Sequence, residues 1–414
     1  MAEKIYGLLG RSLKHSYSVP IHKALGNAAY RLIELEPNEL EAFLRREDIG
    51  GLNVTIPYKR DVMPYCGVIS PEAEEIGSVN TIARRADGRL CAWNTDAYGF
   101  AYLARRAGID FSGRKTVILG SGGASRAVQA AARQLGASQV TVISRSGKDN
   151  YENLSRHRDA EIVVNATPVG MYPGTGASPV DLREFPACVG LIDLVYNPHR
   201  TALLMQAEAL GICHSGGLAM LVAQAKAAEE YFFGIPIPDT ENERIFRQIR
   251  RQTENIVLVG MPGCGKSTVG AALAKLTGRE AVDIDAEIVK AAGRSIQEIF
   301  TQCGEEEFRR LEREETAKVG RESGKIIVTG GGVVKDERNY PSLRQNGRIY
   351  HLTRDLTRLA REGRPLSKGA DLAALYRERL PMYTRFRDTV IDNNGTARKA
   401  AEEVWREFCE NTGD

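Results

Sequence analysis

Short apolar runs alternate with longer segments of helical periodicity along almost the whole chain. In one example the run KTVILG at 115–120 is followed by the alanine-rich segment ASRAVQAAARQLG and then by the run QVTVISRS at 139–146. Strand-like runs that alternate with helices of this length are typical of parallel sheets whose connections are helical. The pattern therefore predicts an α/β protein, and it contains neither an internal repeat nor a low-complexity segment.

The clearest break in this pattern lies at 235–255, in IPIPDTENERIFRQIRRQTEN. Two prolines end a helical run there, and a polar, arginine-rich stretch precedes a new apolar strand. With 414 residues the chain is long enough for two or three cores. A second break at 108–115 divides the first part into a substrate lobe and a dinucleotide lobe. The predicted parts are a first domain at 1–245, with a substrate lobe at about 1–100 and 215–245 and a dinucleotide lobe at about 101–214, a linker at 246–254, and a second domain at 255–414.

Composition narrows the class of protein. Apolar residues make up 43% of the chain and charged residues 26%, with a net charge of +3, so there is no electrostatic case for binding nucleic acid or an anionic membrane. The seven cysteines include no Cys-x-x-Cys pair, which fits a reducing compartment and disfavours a disulfide framework or a zinc site. Because no apolar run has membrane-spanning or signal-peptide length, we expect a cytoplasmic protein. The sequence leaves the oligomeric state open.

The most specific chemical motif is the stretch VLVGMPGCGKSTVG at 257–270. Gly260, four intervening residues, Gly265, Lys266 and Ser267 form a P-loop pattern between an apolar strand and a helix. In such a loop the backbone N–H groups hold phosphate oxygens, the lysine reaches the β- and γ-phosphates, and the hydroxyl ligates Mg²⁺. A glycine-rich turn is the plain alternative, but the lysine, the hydroxyl and both flanking elements fit a nucleoside triphosphate. The expected nucleotide contacts are Gly260, Gly263, Gly265, Lys266, Ser267 and Thr268.

Acids and guanidinium groups follow the P-loop at positions suited to an acceptor. Asp283 and Asp285 stand two apart at a strand end, so both carboxylates lean to one face. One can hold the Mg²⁺ shell while the other binds an acceptor hydroxyl, although paired acids after a strand often only cap the next helix. Arg309 lies on a highly charged helix, where a solvated side chain is the default. Arg364 and Arg379 stand in the short segments GRPLSKG and RERLPMY.

Residues 255–395 resemble the shikimate kinases. The resemblance includes, in family order, the P-loop, the Asp-x-Asp strand end, GEEEFRRLE, the triple glycine of VTGGGVV, the Arg-Pro-Leu segment and RERLPMY. It implies a P-loop kinase domain with a central parallel sheet that uses ATP and Mg²⁺ to phosphorylate shikimate. The implied roles are catalysis by Asp285 and Lys266, carboxylate binding by Arg309 and Arg379, a ring contact at Gly331, phosphate binding by Arg364, and metal binding by Ser267 and Asp283.

A second phosphate-binding pattern occurs earlier, in VILGSGGASRAV at 117–128. Gly120 allows a tight turn after the strand, and Gly122 lets the backbone approach a pyrophosphate. Ser125 stands where the usual fingerprint has its third glycine, so a glycine-rich turn without a cofactor is an alternative. About twenty residues on, a Ser-Arg-Ser segment replaces the acid that binds the NAD ribose, and a guanidinium suits the 2′-phosphate of NADP. The expected NADP contacts in these segments are Gly120, Gly122, Gly123, Ala124, Ser144, Arg145 and Ser146.

Candidates for the proton chemistry of a hydride transfer lie in the predicted substrate lobe. Lys59 follows the strand-like run GLNVTIP, and Asn80 and Asp96 stand in GSVNTI and AWNTDAYGF. A lysine near its reference pKa of about 10.4 transfers protons poorly, so burial or a neighbour must adjust it. Asp96 is the candidate neighbour, whereas a solvated Lys59 is the plain alternative.

Residues 5–235 resemble the shikimate dehydrogenases. The shared segments, in family order, are HSYSVPIH, NVTIPYK, GSVNTI, NTDAYGF, GSGGASRA, NATPVGM, DLVYNPHRTALL and GGLAMLVAQA. The resemblance implies an α/β substrate lobe, a Rossmann-type NADP lobe and the catalytic pair Lys59 and Asp96. The implied substrate contacts are Ser16 and Ser18 to a carboxylate and Thr55, Asn80, Tyr196 and Gln224 around the ring, with Leu194 and Gly217 beside the nicotinamide.

Three positions depart from this family pattern. The proline expected directly after the second serine stands one place later, as Pro20. Ser144 replaces the usual asparagine, and Asp149 occupies a place where a basic residue is common. The family also contains enzymes that oxidise quinate. The resemblance therefore implies NADP use and leaves open its strictness over NAD, as well as the choice of shikimate over quinate.

The two patterns together predict consecutive reactions in one chain. The first half is expected to reduce 3-dehydroshikimate to shikimate with NADPH, and the second to phosphorylate the oxygen on the same ring carbon. The expected partners are these small molecules, with neither nucleic acid nor a membrane among them. One alternative is a quinate/shikimate dehydrogenase fused to another small-molecule kinase, and another is an inactive metabolite sensor. The presence of Lys59, Asp96, Lys266 and Asp285 disfavours the sensor.

Overall fold

The strands predicted from the alternating pattern form three separate sheets. The computed structural model describes residues 4–13, 16–359 and 372–412. Mixed α/β architecture with parallel sheets is confirmed, and the chain folds into two units. Unit 1 consists of Met1–Met171, Ala177–Tyr196 and Leu203–Ile249, and unit 2 of Tyr172–Gly176, Asn197–Ala202 and Arg250–Asp414.

The first sheet of unit 1 has six strands. They are β1 (Ile5–Gly10), β2 (Tyr30–Glu34), β3 (Ile49–Val54), β4 (Val68–Ile69), β5 (Thr81–Arg84) and β6 (Leu90–Trp93). Their order in the sheet is β2-β1-β3-β5-β6-β4, with β1 parallel to β2 and β3, and β5 antiparallel to β3 and β6. Leu9, Leu52, Val54 and Ile82 belong to the apolar core on this sheet, which corresponds to the predicted substrate lobe.

The second sheet of unit 1 has five strands, all parallel. They are β7 (Lys115–Leu119), β8 (Gln139–Ile143), β9 (Ile162–Asn165), β10 (Gly190–Asp193) and β11 (Cys213–Gly216). In the order β11-β10-β9-β7-β8, the first strand β7 lies between β8 and β9. The chain therefore changes direction across the sheet beside β7, and the crevice at such a switch point is where doubly wound sheets bind ligands.

Eight helices of the described chain begin in the first 240 residues and cover these two sheets. They are α1 (Ser18–Ala24), α2 (Leu40–Leu44), α3 (Pro71–Ile76), α4 (Asp96–Arg106), α5 (Gly123–Gln134), α6 (Ala202–Leu210), α7 (Leu218–Phe233) and α8 (Thr240–Thr253). Helix α4 packs against α5 and α7. Their apolar faces meet in one core that includes Phe100, Leu103, Ala131 and Val222. This packing fixes the N-terminus of α4, where Asp96 lies, against α7.

The sheet of unit 2 is a parallel five-stranded sheet. Its strands are β12 (Asn255–Val259), β13 (Ala281–Asp283), β14 (Ile326–Val328), β15 (Gly347–Thr353) and β16 (Thr389–Asp392), in the order β13-β14-β12-β15-β16. All five residues of β12 are buried, as expected of a central parallel strand covered on both faces. The described helices around it are α9 (Lys266–Thr277), α10 (Ile284–Ala292), α11 (Ile296–Gly320), α12 (Asn339–Arg344), α13 (Leu372–Phe386) and α14 (Ala397–Asn411).

Helix α8 runs through the segment expected to be a linker. Residues 246–254 were predicted to connect two domains, whereas the helix continues to Thr253 and the chain passes from unit 1 to unit 2 after Ile249. Ile245, Phe246 and Ile249 are buried in the core of unit 1. Their helical spacing is easily overlooked among the many charged residues of this segment, because an amphipathic helix needs only one apolar stripe.

A buried carboxylate follows α8 in unit 2. Glu254 is 1% exposed and forms ion pairs with Arg250 at 3.0 Å and Arg200 at 3.1 Å. Burial raises the pKa of Glu254, but the guanidinium groups of Arg250 and Arg200 outweigh burial and hold the pKa at about 2. Glu254 is therefore ionised throughout the neutral range and anchors the start of β12 by charge.

Two candidate active sites

Unit 1 contains a polar cavity of about 190 Å³. It lies where β1 and β3 end and where α1, α4 and α7 present their polar residues. The structure brings together in its wall all eight residues predicted to contact or transform the substrate. These are Ser16, Ser18, Thr55, Lys59, Asn80, Asp96, Tyr196 and Gln224.

An ion pair joins the predicted catalytic residues. The Nζ of Lys59 donates to Oδ2 of Asp96 at 2.5 Å, and the Asp96 side chain is 5% exposed. The other oxygen of Asp96 accepts from Nδ2 of Asn80 at 2.9 Å, while its backbone N–H donates to Oδ1 of Asn94. The carboxylate is thus fixed on both sides, and the lysine points into the cavity with a defined partner.

Amide and hydroxyl groups form the next part of the wall. Nδ2 of Asn80 also lies 3.1 Å from Oγ1 of Thr95 and 3.3 Å from Oε1 of Gln224. The residues just before β5 and α4 therefore meet a residue of α7, far along the chain, at one asparagine. Such groups both donate and accept hydrogen bonds, which suits the hydroxyls of a small polyol.

The two serines lie at the start of α1. Oγ of Ser16 donates to Oγ of Ser18 at 3.1 Å, and the backbone N–H of Ser18 donates to Oγ of Ser16. Pro20, the residue that departs from the family pattern, falls in the first turn of this helix. A proline is tolerated there because the first N–H groups of a helix have no partner within the helix. The one-place shift of the proline relative to the family pattern therefore leaves the hydroxyls of Ser16 and Ser18 at the cavity.

The loop between β7 and α5 has the geometry of a phosphate-binding turn. Gly120 has a φ of 103°, and a Cβ at this position would lie 3.1 Å from the carbonyl oxygen of Ala166. Gly122 caps α5, and a Cβ there would meet nothing within 4 Å. Gly123 and Ala124 open the helix, while Ser125 is fully buried inside it. A serine at the third glycine position therefore packs into the fold and leaves the open side of the turn to a pyrophosphate.

The segment after β8 carries the predicted 2′-phosphate contacts. Arg145 and Ser146 are exposed and Ser144 half-buried. The carboxylate of Asp149 lies 3.0 Å from Nε2 of His157, and the backbone carbonyl of Asp149 accepts from the N–H of Ser144. Asp149, the acid that departs from the family pattern, is thus paired with His157, and the guanidinium of Arg145 stays exposed.

Leu194 and Gly217, the two residues predicted beside the nicotinamide, lie directly against each other. A Cβ at Gly217 would lie 2.0 Å from the carbonyl oxygen of Leu194, and the N–H of Gly217 donates to the carbonyl of Val195. Only glycine fits this approach of two backbone segments.

Unit 2 contains a larger cavity of about 510 Å³ above its P-loop. Gly265, with a φ of 96°, caps α9. A Cβ at Gly260 would lie 2.5 Å from the carbonyl oxygen of Leu352, so glycine is required there. The Nζ of Lys266 donates to the carbonyls of Gly260 at 2.8 Å and Met261 at 3.1 Å. The buried ammonium group thus lies inside the loop that is expected to hold phosphate.

The Asp-x-Asp pair both caps a helix and faces the P-loop. Oδ1 of Asp283 accepts from the N–H of Asp285 at 3.0 Å, which caps α10. Oδ2 of Asp283 accepts from Oγ of Ser267 at 3.1 Å. The two interpretations that the sequence left open are therefore compatible, because each uses a different oxygen of one carboxylate.

Acids and arginines meet at the triple glycine. Nη1 of Arg309 donates to Oε2 of Glu312 at 2.7 Å, and burial raises the pKa of Glu312. A Cβ at Gly330 would lie 2.8 Å from Oδ1 of Asp285 and 3.1 Å from Oε1 of Glu312. A Cβ at Gly332 would lie 2.5 Å from Nη1 of Arg309. The glycines leave room for charged side chains that a larger residue would displace.

Arg379 reaches the same glycines from α13. Its Nη1 donates to the carbonyl of Gly331 at 2.8 Å, and the hydroxyl of Tyr383 donates to the same oxygen at 2.6 Å. Arg379 is 5% exposed. Its guanidinium therefore has a fixed orientation at the cavity wall, where its remaining donors are available to an anion.

Most of the predicted residues of unit 2 line its cavity. Gly260 forms the base of the P-loop and Thr268 is exposed on α9, and neither lines the cavity. Arg364 lies outside the described residues. Nine predicted residues do line it: Gly263, Gly265, Lys266, Ser267, Asp283, Asp285, Arg309, Gly331 and Arg379.

Each cavity also has polar wall residues that the sequence did not single out. In unit 1 these are His22 and Asn53, and in unit 2 they include Glu312 and Thr329. Asn53 precedes Thr55 by two positions, a spacing that places two strand residues on one face and was a usable signal. His22 and Glu312 carry no such local mark.

Two features are absent from residues 4–13, 16–359 and 372–412. In these ranges no helix is both long and apolar enough to cross a membrane. Within the same ranges, His, Cys, Asp and Glu form no group of three or more suited to hold a metal ion.

The folds and cavities define a class of protein, a dinucleotide-dependent dehydrogenase joined to a P-loop kinase. Residues 8–82 match the substrate-binding domain of shikimate dehydrogenase, and residues 262–410 match shikimate kinase. The shikimate dehydrogenase (NADP(+)) of Symbiobacterium thermophilum is 36% identical over 263 residues, which cover 56% of this chain and 89% of that protein.

Solved structures show the same relationship. A chorismate mutase/shikimate 5-dehydrogenase fusion protein from Clostridium acetobutylicum is 35% identical with a TM-score of 0.57, covering 60% of this chain and 97% of that one. Shikimate 5-dehydrogenase of Thermus thermophilus in complex with NADP(H) and shikimate is 32% identical with a TM-score of 0.54, covering 59% and 99%.

The chain belongs to the shikimate dehydrogenase family and carries a shikimate kinase domain after it. It is thus an oxidoreductase that uses NADP and a kinase that uses ATP, two enzymes of the shikimate pathway in one polypeptide.

Proposed function

We propose that unit 1 reduces 3-dehydroshikimate to shikimate with NADPH. The observation that carries this proposal is that Lys59 lies between the polar cavity and the dinucleotide loop. Its Nζ pairs with Asp96 in the polar cavity, and a Cβ at Gly123 of the dinucleotide loop would lie 3.8 Å from its Cδ. A proton donor therefore adjoins both the substrate cavity and the cofactor loop, as a coupled transfer of hydride and proton requires.

In this proposal each wall residue has a separate role. The hydroxyls of Ser16 and Ser18 hold the substrate carboxylate, and the amides of Asn80 and Gln224 orient ring hydroxyls. Lys59 gives a proton to the carbonyl oxygen, and Asp96 holds the ammonium group in place. The nicotinamide, when bound against Leu194 and Gly217, supplies the hydride. The remaining predicted contacts, Thr55 and Tyr196, line the same cavity.

We propose that unit 2 transfers the γ-phosphoryl group of ATP to the 3-hydroxyl of shikimate. Asp285 orients or deprotonates that hydroxyl, while Arg309 and Arg379 bind the carboxylate. Lys266 stabilises charge on the transferred group from inside the P-loop. This assignment rests on the meeting of Asp285, Arg309 and Lys266 in the wall of one cavity.

The oxygens at the P-loop suit Mg²⁺. Oγ of Ser267 and Oδ2 of Asp283 lie 3.1 Å apart, and hydroxyl and carboxylate oxygens with several waters form the usual shell of this ion. Ser267 and Asp283 would hold the ion, and the bound ion would neutralise charge on the phosphates.

The first experiment is a two-stage assay of the purified chain. 3-Dehydroshikimate and NADPH are supplied first, and Mg-ATP is added once the absorbance at the nicotinamide band is constant. NADPH oxidation followed by ADP release that depends on the first stage would support both reactions and their order. Replacing Mg²⁺ by EDTA in the second stage is expected to stop ADP release alone.

Three other outcomes would contradict parts of the proposal. If NADPH stays unchanged while added shikimate still drives ADP release, only the kinase assignment survives. If quinate with NAD or NADP is oxidised faster than shikimate, the substrate assignment of unit 1 is wrong. If neither NADPH oxidation nor ADP release is detected, the chain is better explained as a metabolite sensor than as an enzyme.

A further inference from the structure

A buried carboxylate lies behind the dehydrogenase cavity. Glu229 of α7 is 1% exposed and contacts Nδ1 of His22 in α1. Nδ2 of Asn27 donates to both of its oxygens, at 3.0 and 3.3 Å. A carboxylate removed from water is destabilising unless its partners compensate, and here the partners come from a segment about two hundred positions earlier in the chain.

His22 connects this carboxylate to the cavity. The imidazole is fully buried, lines the cavity and stacks on the ring of Tyr30 with centroids 3.6 Å apart and planes 5° apart. Burial lowers the pKa of His22, and Glu229 works against that lowering. Because a carboxylate only accepts, the Nδ1–H of His22 is the donor to Glu229. The ring is therefore fixed by a hydrogen bond at its edge and by stacking on its face.

The contacts continue from the imidazole to Asn53 in the cavity wall. The link is Tyr30: His22 stacks on its ring, and its hydroxyl donates to Oδ1 of Asn53 at 2.8 Å. An asparagine amide can be turned over with little steric change, so its partners decide which atom faces a ligand. Here the hydroxyl of Tyr30, whose ring is stacked on His22, decides it for Asn53.

A directional chain of hydrogen bonds leads from Asn53 to the catalytic pair. Nδ2 of Asn53 donates to Oγ1 of Thr81 at 3.3 Å, and that hydroxyl donates to Oδ1 of Asn80 at 3.0 Å. Nδ2 of Asn80 then donates to Oδ1 of Asp96 at 2.9 Å. Every donor of this chain points toward Asp96, and because the backbone N–H of Thr95 donates to the same Oδ1 of Asn80 at 2.8 Å, Asn80 is oriented jointly by Thr81 and Thr95.

We propose that Glu229 and His22 are positioning residues for the dehydrogenase reaction. They hold the amides of Asn53 and Asn80 in one orientation toward the ring hydroxyls of the substrate. This inference rests on the dehydrogenase function proposed for the same cavity. It predicts that a residue outside the cavity controls affinity for the hydroxylated ring.

The test is steady-state oxidation of shikimate with NADP⁺ by the full chain and its variants. Glu229→Leu removes the acceptor, and we expect the KM for shikimate to rise about tenfold, since a buried donor left unpaired weakens the arrangement that it supports. Glu229→Gln keeps the shape but places amide donors opposite Asn27, and we expect a rise of about threefold. The KM for NADP⁺ and kcat per active site should stay within about twofold.

The matched control is Glu230→Gln. Glu230 is the next residue of α7, pairs with Lys226 at 3.0 Å and accepts from the N–H of Ile237, away from the cavity. Its substitution also removes one negative charge and should leave the KM for shikimate unchanged. Tyr30→Phe is a second probe, because it keeps the stacking on His22 and removes only the hydroxyl bound to Asn53. We expect it to raise the KM for shikimate about threefold.

The outcomes separate positioning from a merely structural role. If the Glu229 variants lose activity in proportion to their titrated NADP⁺ sites, with KM unchanged, the pair only stabilises the fold and the inference is wrong. If Glu229→Leu fails to fold, Glu229→Gln and Tyr30→Phe decide, and an unchanged KM in both also overturns it. A wild-type chain that does not oxidise shikimate would instead contradict the proposed function itself.

Discussion

The two cavities differ in how they present charge. In unit 1, the cavity wall contains the ion pair between Lys59 and Asp96, and hydroxyl and amide groups supply most of its other polar contacts. In unit 2, the cavity wall contains a lysine, two arginines and three acidic residues, together with glycines of the P-loop and of the triple glycine. If both cavities bind the same small acid, as proposed, they recognise it with different chemical groups.

The reaction proposed for each cavity accounts for the difference. Reduction of a ketone needs one proton donor and no added stabilisation of multiple charges, so neutral groups suffice to orient the substrate. Phosphoryl transfer brings a highly charged nucleotide beside a carboxylate, and fixed cations must balance both. The larger volume of the second cavity, about 510 against 190 Å³, also fits a site that receives phosphates as well as an acceptor.

We expect the largest effect on activity from breaking the ion pair between Lys59 and Asp96. We predict that Lys59→Met lowers kcat of the dehydrogenase by about a thousandfold, the usual range for loss of a general acid. ADP release with added shikimate should stay unchanged, because Lys59 belongs to unit 1. Arg60→Met, at an exposed neighbouring position, is the control. If kcat falls equally in both variants, Lys59 supports the structure of unit 1 and does not transfer a proton.

The corresponding change in unit 2 removes the P-loop ammonium. Lys266→Ala is expected to lower kcat of the kinase by about a hundredfold or more, as observed for loss of one preorganised charge donor. Dehydrogenase activity should be unaffected. Lys275→Ala, on the exposed side of the same helix α9, should leave both activities intact. A kinase that tolerates Lys266→Ala would show that the arginines alone balance the phosphate charge.

A third prediction compares the buried carboxylates of the two units. Glu229 has an imidazole partner, whereas Glu254 is held by guanidinium groups that stay charged. Because the folded pKa of Glu254 is about 2, below the unfolded value, its stabilisation is complete above about pH 4.3 and is lost as pH falls toward 2. Glu254→Gln should therefore lower the free energy of unfolding of unit 2 by about 3 kcal/mol at pH 7.

Fluorescence can follow this unfolding in one unit. The chain has two tryptophans, Trp93 in unit 1 and Trp405 in unit 2. In a Trp93→Phe background, urea unfolding monitored through Trp405 reports unit 2, and the difference in stability caused by Glu254→Gln should narrow at about pH 3 to 4. A difference that is independent of pH would show that the charge of Glu254 is not what stabilises this region.

The fourth prediction concerns Arg379, which is proposed to bind the carboxylate of shikimate. Arg379→Met should raise the KM of the kinase for shikimate by about thirtyfold, since charge-assisted hydrogen bonds are worth about 1.5–3 kcal/mol. Arg377→Met, exposed on the same helix α13, serves as the control. If kcat falls and KM stays constant, Arg379 acts on the transferred phosphoryl group instead of the carboxylate.

Local spacing predicted the parts of each site that depend on neighbouring residues. The P-loop, the Asp-x-Asp strand end and the dinucleotide turn each combine a strand, a tight turn and a helix, so their geometry is fixed within about ten positions. The alternating pattern likewise predicted the parallel sheets. For Asp283 it left two interpretations open, a helix cap and a metal ligand. In the structure one oxygen caps α10 and the other accepts from Ser267, so the cap is observed and the metal ligand stays a prediction.

The remaining parts depend on contacts between residues far apart in the chain. Glu229 and His22 meet only because α7 packs against α1, and Arg379 reaches Gly331 only through the placement of α13. Residues 246–254 were predicted as a linker because their charge conceals the apolar stripe of α8. For the first two contacts the deciding information lies in tertiary packing, which no local motif contains, whereas the apolar stripe of α8 is a local pattern that the surrounding charge obscures.

The smallest expected effect is the most direct test of the comparison between neutral and charged recognition. Ser18→Ala should raise the KM of the dehydrogenase for shikimate about fivefold, since a neutral hydrogen bond contributes about 1 kcal/mol. The KM of the kinase in the same preparation is the internal control, because the kinase is proposed to bind the same acid through arginines. A rise as large as that of Arg379→Met would mean that the serine hydroxyls, with the N–H groups at the start of α1, hold a carboxylate as strongly as guanidinium does. The contrast between the two cavities would then lie in their reactions alone and not in how they bind the substrate.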